Sequence, residues 1–280
     1  MNKAQWIVVG IGVLLVSGLF IFGRTGPYKT GKTNPSPVSS QTELSTDSIL
    51  FHAKEKLGDD QITWMTSLEQ SVIRGDLKSQ KLDVFHQLAH FWKDSAGIFE
   101  PYAWYEAEAA RLENSEKSLS FAAHLFLENL RSEQSPRLKK WKALQAKDLF
   151  ERSLRLNDKN DSATVGIGAC YIFGNIADNP MEGILKVRQV IDRDSTNVFA
   201  QMVLGYGSLI SEQYDKAIDR FDKVVRLQPG NMEAILMLAE VYERKADKAN
   251  AIKWYSYALP FVKNVEIKNA LETRIEELKK

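Results

Sequence analysis

Residues 197–230 read NVFAQMVLGYGSLISEQYDKAIDRFDKVVRLQPG, and residues 231–260 read NMEAILMLAEVYERKADKANAIKWYSYALP. Laid over each other at an offset of 34 residues, Leu204-Gly205, Ala217, Phe221 and Val224 fall on Leu238-Ala239, Ala251, Tyr255 and Ala258. A repeat of that length is one pair of helices that cannot bury its apolar face alone and stacks on copies of itself. The small residue that opens the second helix recurs upstream. Ala103, Ala146, Gly183, Ala217 and Ala251 follow at steps of 43, 37, 34 and 34. The longer steps have local causes, extra turn residues at Asn175–Asn179 and at Arg131–Lys140, so the core positions keep their register while turns absorb the insertions.

No stretch from Thr46 onwards sustains strand alternation, and the apolar residues recur at helical spacing throughout. Helices are expected over Ser48–Leu57, stopped by Gly58, and over Gln61–Arg74, stopped by Gly75. Hairpins follow at Val84–Lys93 with Tyr102–Leu112 and at Leu119–Leu130 with Leu138–Leu156, and Pro180 opens the second helix of the third pair.

These residues carry a resemblance to tetratricopeptide (TPR) repeat proteins. The family pattern W-x2-L-G-x2-Y…A-x3-F…P reads here as Gln201-x2-Leu204-Gly205-x2-Ser208…Ala217-x3-Phe221…Pro229. The next copy reads Ile235-x2-Leu238-Ala239-x2-Tyr242…Ala251-x3-Tyr255, and the one before reads Thr164-x2-Ile167-Gly168-x2-Tyr171…Gly183-x3-Val187. The match is densest over Asp161–Pro260 and thins towards Leu82. The resemblance implies an all-α fold, a TPR-type helical-hairpin solenoid or α-α superhelix. It spans residues 82–265, with N-terminal helices at 49–81 and a polar-backed capping helix at 266–280.

Trp6–Gly23, WIVVGIGVLLVSGLFIFG, is 18 residues without a charge. As a helix it reaches about 27 Å, enough for the hydrocarbon core of a bilayer. No small-x-small cleavage site follows it, and no cysteine that would make a lipoprotein, so residues 1–24 are expected to be a single transmembrane anchor rather than a signal peptide. Residues 25–48, with Pro27, Pro35 and Pro37 among Ser, Thr and Gly, read as a linker. Arg24, Lys29 and Lys32 outnumber Lys3, which argues for a cytoplasmic C-terminal side. The short N-terminal tail and the Pro/Ser/Thr-rich tether argue the other way, and the expectation is a single-pass membrane protein whose remaining chain is extracytoplasmic (periplasmic).

Composition and motif context exclude several classes. Lys and Arg number 37 against 36 acidic residues, so there is no basic surplus to bind nucleic acid. Gly26 to Gly31-Lys32-Thr33 satisfies the letters of a phosphate-binding loop, but no strand precedes it and Asn34-Pro35-Ser36-Pro37 cannot open a helix. No nucleotide is expected. Cys170, the single cysteine, rules out an internal disulfide and reads as a small buried hydrophobe. His86 and His90 have the i, i+4 spacing of metal ligands, but Gln87 stands where a zinc protease needs its glutamate and no third ligand is identifiable. Arg137, Lys139, Lys140 and Lys142 surround Trp141, which reads either as a contact for anionic headgroups or an acidic partner, or as a solvated helix start with Trp141 turned inward. Neither metal nor cofactor nor catalytic residue is expected, and the chain reads as non-catalytic.

What the resemblance implies about function is a concave groove lined by the first helix of each hairpin. The expected partner-binding residues are Phe173, Phe199, Met202, Tyr206, Met237 and Glu240. No lysine and asparagine clamp for a terminal carboxylate stands there, and the aromatic and Met-rich lining suits an amphipathic helix or extended apolar segment of another protein. The expected function is a membrane-anchored TPR scaffold that holds a protein partner. Two alternatives are an assembly factor of the kind that pairs an anchor with TPR repeats in cytochrome c maturation, and a metal protein resting on His86 and His90.

Overall fold

The computed structural model describes residues 44–74, 77–176 and 180–280. The chain divides into Met1–Thr42 and Glu43–Lys280, and the description concerns the second unit. The expected anchor, most of the expected linker and the phosphate-loop letters lie outside the described residues.

Thirteen α-helices follow in chain order among the described residues. Two precede the repeats, α1 (Thr46–Lys54) and α2 (Asp59–Arg74). The first hairpin is α3 (Lys78–His90) with α4 (Phe99–Glu113). The second is α5 (Glu116–Leu130) with α6 (Pro136–Leu156), and the third is α7 (Asp161–Phe173) with α8 (Met181–Arg193). The fourth is α9 (Val198–Ile210) with α10 (Tyr214–Leu227), and the fifth is α11 (Met232–Arg244) with α12 (Lys248–Ala258). The closing helix is α13 (Val265–Lys279). Each hairpin packs on the next, and first helices also touch, α5 on α7 and α7 on α9. The stacked-hairpin solenoid expected from the 34-residue repeat is what these residues form.

The helix starts explain the register. Asn160, Asn197 and Asn231 accept the backbone N–H of Ala163, Ala200 and Ala234 through their side chains. Each supplies a partner for one of the N–H groups a helix start leaves open. The last three residues of the expected linker 25–48 belong to α1, which begins at Thr46 with Ser45 accepting the Ser48 N–H. Pro180 caps α8 rather than standing inside it.

Within hairpins the helices come close because small residues face each other. A β-carbon on Gly168 would lie 2.7 Å from the Gly183 carbonyl oxygen and 2.4 Å from Val187 Cγ2, so α7 and α8 cross where neither has a side chain. Beside such crossings Phe126, Phe150 and Phe221 fill the core with no exposure. Cys170 is buried with them, and burial pushes its thiol up, so it is inert as read from sequence.

Two features were not anticipated. A π-helical turn, Phe91–Ser95, continues α3 and buries Trp92, whose Nε1 has no hydrogen-bond partner among the described residues. The basic stretch beside Trp141 departs from a solvated helix start at one residue, Lys142. Trp141 does turn inward, donating to Thr46 Oγ1 at 3.1 Å. Lys142, however, is 1% exposed and its ammonium reaches Glu100 at 2.8 Å, Glu133 at 2.5 Å and Asn129 Oδ1 at 2.6 Å.

The single-pass membrane localisation does not stand. No helix among the described residues is long and apolar enough to cross a membrane. Trp6–Gly23, on which that expectation rested, lies outside them, and the extracytoplasmic placement is withdrawn with it.

Candidate functional site

The first helices α5, α7, α9 and α11 are positioned by their asparagine and serine caps and by the glycine and alanine crossings behind them. Their inward side carries an aromatic row. Phe173, at the end of α7, meets Tyr206 of α9 edge-on with ring centroids 6.2 Å apart, and Tyr206 meets Phe221 of α10 at 5.4 Å. Phe199, in the first turn of α9, lies 5.5 Å from the His124 ring of α5, which in turn meets Phe150 at 5.1 Å. His124 Nε2 is 2.9 Å from Ser162 Oγ at the start of α7. Burial lowers the His124 pKa, with Glu128 opposing, so the ring is held neutral.

Tyr206 is the centre of a clamp. Its hydroxyl donates to Glu233 Oε1 of α11 at 2.6 Å, and the Arg131 guanidinium, from the residue that ends α5, lies 4.1 Å from its ring centroid. Arg131 donates to the same Glu233 oxygen at 2.5 Å. Burial, then the bond to Glu233, pushes the Tyr206 phenol well above its usual range. Burial pulls Arg131 down, but Tyr206 and Glu233 outweigh it and the guanidinium pKa stands above its ordinary value. Both groups therefore keep their protons at neutral pH, and the cation, ring and carboxylate hold three hairpins together across 102 residues of sequence. For the end of α5 to meet the start of α11, the row of first helices must curl inward between them.

The six sequence-predicted residues are placed unequally. Phe173, Phe199 and Tyr206 form the aromatic row and are half-buried. Met202 is 7% exposed and belongs to the core shared by the fourth and fifth hairpins, with Met237 partly buried against that core. Glu240 is taken up by Arg244 one turn on, at 2.6 Å. Arg131 was legible only as turn insertion, because nothing local links it to a glutamate six helices away. His124 carried no signal beyond its residue type.

The other candidates separate. His86 Nδ1 lies 3.6 Å from Glu106 and His90 Nδ1 3.4 Å from Asp94, so the two histidines face different carboxylates. Among the described residues no group of three or more His, Cys, Asp or Glu side chains is arranged to hold a metal ion.

No family model matches the chain, and no curated protein matches it. Several solved structures do. One is YrrB, described as a TPR protein with an unusual peptide-binding site, at 16% identity and TM-score 0.41, covering 68% of this chain and 91% of that one. MamA from Desulfovibrio magneticus RS-1 gives 21% and 0.42, covering 67% and 96%. PilF of Pseudomonas aeruginosa gives 14% and 0.46, covering 72% and 85%. At these values no residue, site or partner is carried over, and the hairpin architecture rests on this chain's own helices.

Proposed function

We propose that the array is a non-catalytic protein-interaction scaffold, whose inward face takes an amphipathic helix or extended apolar segment of another protein. The observation that carries this reading is the row of half-buried rings Phe173, Phe199 and Tyr206 on successive first helices, with Met237 beyond it. Rings left half-covered on adjacent rigid helices are anchor sites of low entropic cost. Arg131 and Glu233, 39% and 46% exposed, stand beside Tyr206 as the charged rim such a segment would meet.

The test is photo-crosslinking in the cell from position 173 or 237 of the full chain, with and without Tyr206→Ala and Phe199→Asp. The expected outcome is one discrete crosslinked protein, lost in both variants while helicity is kept. Equal crosslinking in the variants overturns the reading.

A further inference from the structure

The repeat register exposes one gap between hairpins that differs from its neighbours. Tyr171 of α7 and Tyr242 of α11 occupy the position that Ser208 fills in α9. Tyr171 lies among Lys147 and Glu151 of α6 and Glu182 of α8, and Tyr242 beside Asp215 and Asp222 of α10, so in both gaps a phenol ring fills the space between second helices. A second exchange accompanies the first. Counted from the small residue that opens each second helix, the position held by Glu151 in α6 and Asp222 in α10 is Arg188 in α8.

Ring lost and carboxylate replaced by guanidinium, the gap between α8, α9 and α10 is a cavity of about 520 Å³. Its polar wall carries Arg188, Lys216, Arg220 and Lys223 against one carboxylate, Asp219. Among the described residues none of the four cations forms an ion pair. Lys216 donates to Gln213 Oε1 at 2.6 Å and Arg220 to Gln201 Oε1 at 2.9 Å. Gln201 is fully buried, and its amide nitrogen donates to the Ser195 carbonyl at 2.7 Å, which fixes the oxygen that aims Arg220 into the cavity. Burial first, and then the charge of Arg188, lower the Arg220 pKa with Asp219 opposing, so the cations are crowded at a cost. Met181, Ile184 and Leu204 form an apolar wall opposite. At 100° per residue, Gln201, Leu204 and Ser208 lie on the side of α9 away from Phe199, Met202 and Tyr206, so this cavity is separate from the aromatic row.

We propose that this cavity is a binding site for a small organic oxyanion, a phosphate or carboxylate on a short apolar body. The anionic group sits among Arg188, Arg220, Lys216 and Lys223, with the Ser208 hydroxyl beside it, and the body lies against Ile184 and Leu204. The volume is that of an ordinary small-molecule site, and an oxyanion relieves the repulsion between the two guanidinium groups while taking paired hydrogen bonds from them.

Calorimetric titration of the full chain with phenyl phosphate, phenylacetate and benzyl alcohol tests it, the first two arms telling phosphate from carboxylate. At least one anion is expected to bind with a Kd under about 1 mM, the alcohol at least about tenfold more weakly. Arg188→Glu, which restores the charge of the neighbouring repeats at an exposed position, and Ser208→Tyr, which restores their ring, are each expected to weaken the anion about tenfold or more with melting unchanged. If Ser208→Tyr does not fold, Arg188→Glu decides alone. Saturation by neither anion, equal binding of the alcohol, or native affinity in Arg188→Glu overturns the proposal.

Discussion

The best-buried charge in the described chain, Lys142, shows how little a residue's type says about its role. It lies in a run of four cations, the pattern of a solvated face, yet its ammonium is enclosed by Glu100 from α4, Glu133 from the turn after α5, and Asn129. An ion enclosed this way is stabilised only while all its partners remain, because the desolvation cost of each charge is already incurred. Lys142→Met is therefore expected to cost about 3–5 kcal/mol, since it leaves Glu100 and Glu133 unpaired. Chemical denaturation against the wild type measures it, and a loss under about 1 kcal/mol would show the two carboxylates finding water instead. Its neighbours bear out the ordinary reading: Trp141 turns inward as its size and apolar body suggest. What separates Lys142 from Lys139 is one helical step, and the sequence alone does not reveal that two acids from other helices converge on that step.

Among elements, the third, fourth and fifth helical pairs were readable because small and large residues alternate at fixed spacing, and a crossing such as Gly168 on Gly183 admits no other residue without a clash. The asparagine caps were also in plain sight. Asn160, Asn197 and Asn231 recur at 37 and 34 residues, each three before an alanine. Asn197→Ala and Asn231→Ala are each expected to destabilise by about 1 kcal/mol, with Asn160→Ala larger because Nδ2 also donates to Glu116 at 2.6 Å. Thermal melting of the three variants gives the order, and equal losses would mean the cap alone matters. The π-helical turn at Phe91–Ser95 was not readable, since its residues are ordinary helix formers and the extra residue shows only once Trp92 is placed. An orphaned indole N–H there costs on the order of 1–3 kcal/mol, a sign that the turn is imposed by packing rather than by local preference.

For the molecule as a whole, acid is the natural probe of how the hairpins are held. Burial pushes the Glu133 carboxyl up, but the hydrogen bond and charge of Lys142 together with the backbone N–H groups of Ser135 and Gln134 outweigh it, and its pKa is lowered. Glu243 is lowered chiefly by Arg274, which ties α13 to α11. A carboxyl whose folded pKa is depressed stabilises above its unfolded value, about 4.5, and that contribution is lost as pH falls through the folded one. His124 acts earlier, because the unfolded ring takes a proton near pH 6.5 while the folded ring resists it. Melting temperature is expected to fall in two stages as pH is lowered, the first starting near 6.5 and the second below about 4.5, with His124→Gln removing only the first. A single stage in both proteins would show His124 as exposed in solution as in the unfolded chain. The aromatic row was half legible for a related reason: helix phase assigns Phe173, Phe199 and Tyr206 to one side, but not that Arg131 arrives at Tyr206 from two hairpins earlier. That arrival changes what kind of object the array is. A solenoid held only by neighbouring contacts is a spring that can fray turn by turn from either end. With Arg131, Tyr206 and Glu233 joined, the second, fourth and fifth hairpins form a closed loop. Stretching or melting any pair between them must first break that latch, so this segment gives way as a unit.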